Sequence, residues 1–316
     1  MGVGLTMRAV ALTEYGDPDV LSVQELPDPP LGPDVVLVRM AAAGVNPVDY
    51  KIRQGRLRGA FPHHVPLIPG WDVAGTVEQV GPAVTEFAAG DEVLGYVRRD
   101  HVQYGTYAEL VPAPVRTLAH RPAGLDVVAA AGLPLAGLTA LQALRAVGTG
   151  DGDTVLVHAA AGGVGHFAVQ VARVLGAARV IGTASERNHD FVRSLGAEPV
   201  AYGAGLRDRV AQLVGGDGRV DVVADFVGGE ALTTSPDLVR DPARQVSVVD
   251  AAQVMAQGGR YCFVRPDAAE LGWLAGQAAS GAIHVEVART FPLADAAAAH
   301  RVIEDGHVRG KLVLLR

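Results

Sequence analysis

The chain reads as an α/β protein in which a doubly wound parallel sheet is joined to a smaller, partly barrel-like β domain. Three observations carry that reading. A short apolar strand at residues 154–158 runs through a glycine turn into an amphipathic helical stretch, strands alternate with helices from about residue 126, and the first third holds short strands broken by Pro and Gly. With 316 residues, 49% of them apolar, the chain can bury a sizeable core and divides into two domains.

In the first third, strands are expected at residues 8–12, 20–24, 35–41, 75–80, 92–97 and 106–111, separated by turns such as Pro27-Asp28-Pro29-Pro30 and Gly81-Pro82. That spacing suits a β domain over residues 1–125. Residues 127–144 carry no charge over a length that could cross a bilayer. Pro134 interrupts them and aromatic flanks are missing, so they read as buried soluble helix. The second domain, 126–265, is expected to hold strands at 154–158, 179–183, 199–202, 220–227, 245–249 and 260–264, with helices near 189–195 and 206–214. Six parallel strands at this rhythm complete a doubly wound sheet. The tail, 266–316, adds a helix, a strand at 283–287, a helix at about 293–304 and a strand at 312–315. These exceed what the sheet needs and are expected to return to the first domain.

The turn itself is Ala160-Ala161-Gly162-Gly163-Val164-Gly165. Val164, Ala168, Val171 and Leu175 recur at helical spacing after it, and Gly176 stands where a helix ends. Gly162 would let the backbone approach a pyrophosphate, Gly165 would let helix and strand pack closely, and free N–H groups at the helix start would receive the negative charge. This is the pattern of a dinucleotide site, expected in a cleft between the two domains. Ala160 replaces the first glycine of G-x-G-x-x-G, so the pattern draws its force from the strand, turn and helix around it. At the end of the second strand, Thr183-Ala184-Ser185-Glu186-Arg187 puts no acid immediately where a bare ribose would be bound. Ser185 and Arg187 offer partners to a 2′-phosphate, which favours NADPH over NADH. Glu186 either caps the next helix or faces the ribose.

A net charge of -7 and a pI near 5.8 leave no electrostatic footprint for nucleic acid or anionic lipid. Neither partner is expected, nor a membrane. Cys262 is the single cysteine, which excludes an intrachain disulfide and a multi-cysteine zinc site; it reads as a small buried core residue, and a cytoplasmic enzyme fits. Met1-Gly2-Val3-Gly4-Leu5-Thr6 has no basic stretch followed by an apolar core, so no signal peptide is expected and Met7 should begin the ordered chain.

Three further motifs stand out beside the Ala160 turn: Gly44-Val45-Asn46-Pro47-Val48-Asp49-Tyr50-Lys51-Ile52-Arg53, Pro69-Gly70-Trp71-Asp72-Val73-Ala74-Gly75, and Leu133-Pro134-Leu135-Ala136-Gly137-Leu138-Thr139-Ala140. With the domain order, they make the chain from Met7 onward resemble the medium-chain dehydrogenase/reductase superfamily, in its zinc-free quinone oxidoreductase branch. The resemblance implies a GroES-like β domain beside a Rossmann domain, NADPH as cofactor, and reduction of quinones, enones or enoyl thioesters. Ala160 is the usual form in that branch. Zinc-dependent relatives carry a cysteine near Val45 and Gly-His-Glu near Gly70, where this chain has Val45-Asn46 and Gly70-Trp71-Asp72. A catalytic zinc takes three protein ligands, so no metal is expected. His63 and His64, flanked by Pro62 and Pro66, read as a surface loop.

The resemblance places Asn46 beside the nicotinamide, as a donor to substrate; a turn-stabilising Asn before Pro47 is the alternative. Tyr50 is either a proton donor or an ordinary amphipathic aromatic, and Asp49 and Arg53 can pair across one helical turn. Thr139 is a family-supported contact to the nicotinamide or a helix Thr bonded to its own backbone. Around the cofactor, Ala161, Gly162, Gly163, Val164 and Gly165 form the turn, and Thr183, Ser185 and Arg187 follow the second strand. Tyr202 ends the third strand near the adenosine or in the core. Val227, Val249, Phe263 and Val264 end the fourth to sixth strands, where ligands of such sheets bind. Lys311, after Gly310, touches a cofactor phosphate or lies on the surface.

With no Lewis acid to polarise a simple alcohol, hydride transfer to the β-carbon of an activated alkene, or to a quinone, is the reaction expected. A zinc-independent carbonyl reductase or alcohol dehydrogenase is the rival enzyme, and a non-catalytic NADPH-binding sensor or structural protein the rival from another class. Residues 260–264 form an apolar edge strand, and the family commonly pairs that edge, so a homodimer is expected.

Overall fold

Long-range pairing sorts residues 5–316, which this computed structural model describes, into two units. The first contains the residues up to Leu135, Arg265–Ser280 and Val285–Arg316; the second is Ala136–Val264 with Gly281–His284. The reading of the amino terminus falls largely on Met1–Gly4, outside the described residues, and the first strand starts at Thr6, two residues ahead of the expected Arg8.

In the first unit a seven-stranded sheet runs in the order Val287–Pro292, Lys311–Leu315, Val35–Val45, Asp72–Val80, Glu92–Tyr96, Leu118–His120, with Leu110–Pro114 also on Val35–Val45. Two ribbons accompany it, Thr6–Ala11 with Ser22–Pro27 and His63–Ile68 with Val102–Tyr104. The strand Val35–Val45 runs past its expected end at residue 41 and stops where Pro47 keeps Asn46 extended, at φ -129° and ψ 154°. Its Gly44 is forced by the fold, since a Cβ there would run into the carbonyl oxygen of Ala131. Ala131 belongs to the helix Val127–Gly132, which packs on this strand. The second unit therefore begins ten residues later than the expected 126, at Ala136.

Other expected elements shift for identifiable reasons. The strand placed at 106–111 is displaced to Leu110–Pro114, with a short strand Val102–Tyr104 ahead of it, because Gly105, Thr106 and Tyr107 send their N–H groups to the carbonyls of Ile68, Gly70 and Pro69, respectively. The strand at 20–24 is displaced to Ser22–Pro27 behind a 3-10 turn, Pro18–Val20. His63 and His64 open a strand rather than a loop, with Tyr15 Oη 3.1 Å from His63 Nδ1. The strand at 283–287 becomes Val287–Pro292. Gln170 explains that shift: its Oε1 accepts the His284 N–H at 2.7 Å and its Nε2 donates to the His284 carbonyl at 2.9 Å, tying Gly281–His284 to the second unit. Residues 127–144 form two helices, Val127–Gly132 and Pro134–Ala146, and no helix among the described residues is long and apolar enough to cross a membrane.

The second unit is a six-stranded parallel sheet ordered Glu198–Val200, Arg179–Thr183, Thr154–Val157, Val222–Asp225, Gln245–Ser247, Arg260–Tyr261. In chain order this is 3-2-1-4-5-6, with the switch between Thr154–Val157 and Val222–Asp225. Leu156, Ile181, Val210, Val223 and Leu238 form its buried centre. The last strand spans two exposed residues instead of the expected five, and Cys262 after it is half-buried rather than core. The helix Gly165–Val174 ends in a Schellman turn, with the Gly176 N–H on Arg173, the Ala177 N–H on Ala172, and Gly176 at φ 102°.

Candidate active site

Strand Thr154–Val157 leaves the sheet through Ala159, whose φ of 54° makes it the one non-glycine residue in the left-handed region among the described residues. Three bonds hold it there. Thr183 Oγ1 accepts the Ala159 N–H at 3.0 Å, the Thr183 carbonyl accepts the Ala160 N–H at 2.9 Å, and the Ala159 carbonyl takes the Gly162 N–H at 2.9 Å. Thr183, expected as a cofactor contact, is thus a buried clamp between the first two strands. Gly165 is required by space, because a Cβ would overlap the Ala159 carbonyl oxygen and carbon. The backbone N–H groups of Gly163 and Val164 make no protein hydrogen bond among the described residues. At the start of the helix Gly165–Val174, they are suited to a pyrophosphate. Ala161 is buried and contributes backbone only.

Beyond the second strand, Ser185 precedes the 3-10 turn Glu186–Asn188 and accepts from Asn188 Nδ2 at 3.2 Å. Arg187 is exposed and has no partner among the described residues. At the ends of the next four strands, Tyr202, Val227, Val249 and Phe263 are 63%, 54%, 47% and 53% exposed. Large apolar side chains gathered in solvent at the carboxyl ends of a parallel sheet suit a flat ligand laid across them. Val264 is half-buried, and Thr139 is buried in the helix Pro134–Ala146. These observations fit a dinucleotide with a 2′-phosphate.

Sequence reasoning missed the polar layer beneath the turn. His158 is fully buried between Ser235 Oγ, 3.2 Å from Nε2, and Thr183 Oγ1, 3.4 Å from Nδ1. Burial pushes its pKa down to about 4, so it stands as a neutral imidazole. Asp225 holds the next turn, accepting from the N–H groups of Val227 and Gly228 and from Ser247 Oγ at 2.7 Å.

The first unit gathers its chemistry differently. Asn46 is 1% exposed, its Nδ2 donates to Asp72 Oδ2 at 2.8 Å, and its Oδ1 accepts from Lys311 Nζ. Lys311 also donates to the Val45 carbonyl at 3.2 Å and stands 4.0 Å from Asp72. It is no surface lysine; it is buried against Asn46. Burial holds its ammonium below the ordinary value, against the charges of Asp72 and Asp49, while burial raises Asp72 to about 6.

Asp49 does not pair with Arg53. Its Oδ2 accepts the Asn46 N–H at 2.8 Å and Tyr107 Oη at 3.0 Å, while Arg53 pairs with Glu304 at 2.6 Å. Asp49 Oδ1 is buried without a hydrogen bond, and burial, reinforced by the charge of Asp72, raises this carboxyl to about 7. Tyr107 gives its one proton to Asp49, so His300 Nε2, 3.3 Å away, is the donor to Tyr107. His300 is pushed down to about 3 by burial and then by Arg53, which keeps it neutral. Tyr50 is half-buried and its hydroxyl has no partner among the described residues. Asp72 and Lys311 each adjoin apolar strand residues, Val73-Ala74 and Leu312-Val313-Leu314, and that isolation of a charge was the available signal.

A GroES-like unit and a doubly wound unit bearing this glycine turn together define an oxidoreductase of the alcohol dehydrogenase type. Residues 32–123 match the alcohol dehydrogenase GroES-like domain and residues 175–314 the zinc-binding dehydrogenase domain. An NADPH-dependent alkenal/one oxidoreductase of Arabidopsis thaliana is 34% identical over 98% of this chain and 79% of its own. The quinone oxidoreductase of Coxiella burnetii superposes with a TM-score of 0.88 at 35% identity, covering 99% and 100% of the two chains. A mycobacterial structure complexed with NADPH has a TM-score of 0.83 at 32% identity, covering 98% and 100%. The chain belongs to the medium-chain dehydrogenase/reductase superfamily, in its quinone oxidoreductase branch.

Proposed function

We propose that the protein transfers hydride from NADPH to a quinone or to the β-carbon of an α,β-unsaturated carbonyl, without zinc. The observation that carries this reading is the Asn46 amide, a desolvated donor held in place, standing beside Val45 in a motif where zinc-dependent relatives place a cysteine. Val45 and Trp71 offer no metal-ligating atoms, so charge that develops on a carbonyl oxygen is met by hydrogen-bond donors. The cofactor supplies the hydride; the chain binds and orients.

Gly162, Gly163, Val164 and Gly165 receive the pyrophosphate, Ser185 and Arg187 the 2′-phosphate, and Tyr202 the adenosine. Val227, Val249, Phe263 and Val264 pack on the rest of the dinucleotide, with Thr139 at the nicotinamide. Asn46 donates to the substrate carbonyl, and Tyr50 is the second polar group offered to it. A homodimer through the edge strand Arg260–Tyr261 and a cytoplasmic location complete the reading. A monomeric mass in solution would remove the dimer.

The test is oxidation of NADPH with a panel of quinones, enones and enoyl thioesters, before and after chelation. Tight NADPH binding with no oxidation across the panel overturns the reading, and so does loss of activity on chelation. Arg187→Ala should raise the KM for NADPH about tenfold or more, the scale of a lost charge-assisted hydrogen bond, and leave that for NADH within about twofold. Equal effects on both cofactors would take the 2′-phosphate away from Arg187.

A further inference from the structure

We propose that Lys311 and Asp72 are positioning residues that fix the orientation of the Asn46 amide and strengthen its remaining N–H as a donor to substrate. The inference rests on the reading above, in which Asn46 touches the substrate carbonyl.

A carboxamide can be turned end for end at little cost, and its two ends are chemically opposite. Here charge settles the matter. An ammonium has only donors, so Lys311 Nζ meets Oδ1; a carboxylate only accepts, so Asp72 Oδ2 meets Nδ2, at 2.8 Å. Lys311 is anchored by the Val45 carbonyl at 3.2 Å, and Asp72 by the Leu135 N–H, which reaches its Oδ1 at 2.8 Å. Both supports are therefore fixed to backbone rather than to mobile side chains.

Nδ2 carries two hydrogens, and Asp72 takes one. The second has no acceptor among the described residues. A cation on Oδ1 draws amide electron density toward oxygen and leaves the nitrogen more positive, so the free N–H becomes a stronger donor. Lys311 thus acts through Asn46, and its ammonium is spent on an amide oxygen rather than on a cofactor phosphate.

Three variants test this: Lys311→Met, Lys311→Arg, and the charge-free pair Lys311→Met with Asp72→Leu. The pair is included because removing one of two buried partners strands the other charge and can unfold the unit. One readout compares kcat for an enone with the dissociation constants of NADPH and NADH. The other is the side-chain amide nitrogen resonance of Asn46, assigned by its disappearance in Asn46→Asp.

In Lys311→Met and in the pair, kcat should fall about tenfold or more, a fraction of what a lost oxyanion donor costs. NADPH binding should stay within about twofold, as expected for a group acting on the reaction rather than on cofactor affinity. The Asn46 resonance should move, and Lys311→Arg should recover most of kcat. An unmoved resonance in the folded variants overturns the proposal. So does a Lys311→Met that weakens NADPH about tenfold while sparing NADH, since that is the mark of a phosphate contact. Wild-type protein that oxidises no NADPH would sink the functional reading instead, and the resonance would still decide the positioning.

Discussion

Among the described residues, the second unit leaves backbone N–H groups unpaired and apolar tips exposed at the carboxyl ends of its strands, whereas the first withdraws charged side chains from water and pairs them with one another. The contrast is one of range. The turn from Ala159 to Gly165 is written in consecutive residues, and its supports need only the neighbouring strand. The polar layer of the first unit draws on Asn46, Asp49, Asp72, Tyr107, His300 and Lys311, brought together from two stretches of chain separated by the whole second unit. A backbone site tolerates almost any side chain except where space is exhausted. A buried charge network tolerates almost no single change.

The sharpest way to break that contrast is at Gly165, the one point where the turn has no room. Gly165→Val should cost about 5 kcal/mol and abolish NADPH binding, because a backbone carbonyl cannot step aside as a side chain can. Urea unfolding that matches wild type would show that the turn is softer than its geometry. Next come the buried ions. Lys311→Met alone should cost about 3–5 kcal/mol, and Lys311→Met with Asp72→Leu markedly less, since the second change removes the stranded charge. Additive costs in denaturation curves would mean that the two groups do not depend on each other.

Titration separates the units further. Asp49 is raised in the folded state from 3.8 to about 7, so the native protein holds a proton that the unfolded chain has released. Its contribution is complete at low pH and is lost as the pH climbs toward 7. Relative to wild type, Asp49→Asn should therefore gain about 2 kcal/mol between pH 5 and pH 8, at no more than about 1.4 kcal/mol per pH unit. A constant difference across that range would contradict the burial of an unpaired carboxyl. His158 works in the opposite sense. Its folded value of about 4 lies below the ordinary 6.5, so acid takes stability from the second unit over that window. The smallest effect belongs to the exposed tips. Tyr202→Ser should change stability by less than about 0.5 kcal/mol and weaken NADPH several-fold through lost aromatic contact.

How far the sequence could be read follows from the same difference in range. The strands at 154–157 and 179–183 and the helix at 206–214 lie within a residue of their expected bounds, because each is a local run closed by its own glycine or polar turn. The strand expected at 283–287 failed because Gln170, far away in sequence, claims the backbone of His284. Asn46 was legible as a candidate, but its partners were not. Nothing local says that Lys311 will meet Asn46, or that Asp49 will prefer Tyr107 to Arg53 one helical turn away. Ala159 was hidden for another reason: alanine carries no signal for a left-handed backbone, and only the bonds to Thr183 reveal why it adopts one.

The strand Lys311–Leu315 lies between Val287–Pro292 and Val35–Val45 in the sheet of the first unit, although the whole second unit precedes it in the chain. During synthesis the second unit is thus free to fold as soon as it leaves the ribosome, while the earlier-made strands wait for an inner neighbour that is translated after it. Asp72 waits with them for its counter-ion. A nascent chain halted before residue 311 carries an open sheet edge and an uncompensated carboxylate, two features by which quality control can tell an unfinished molecule from a finished one.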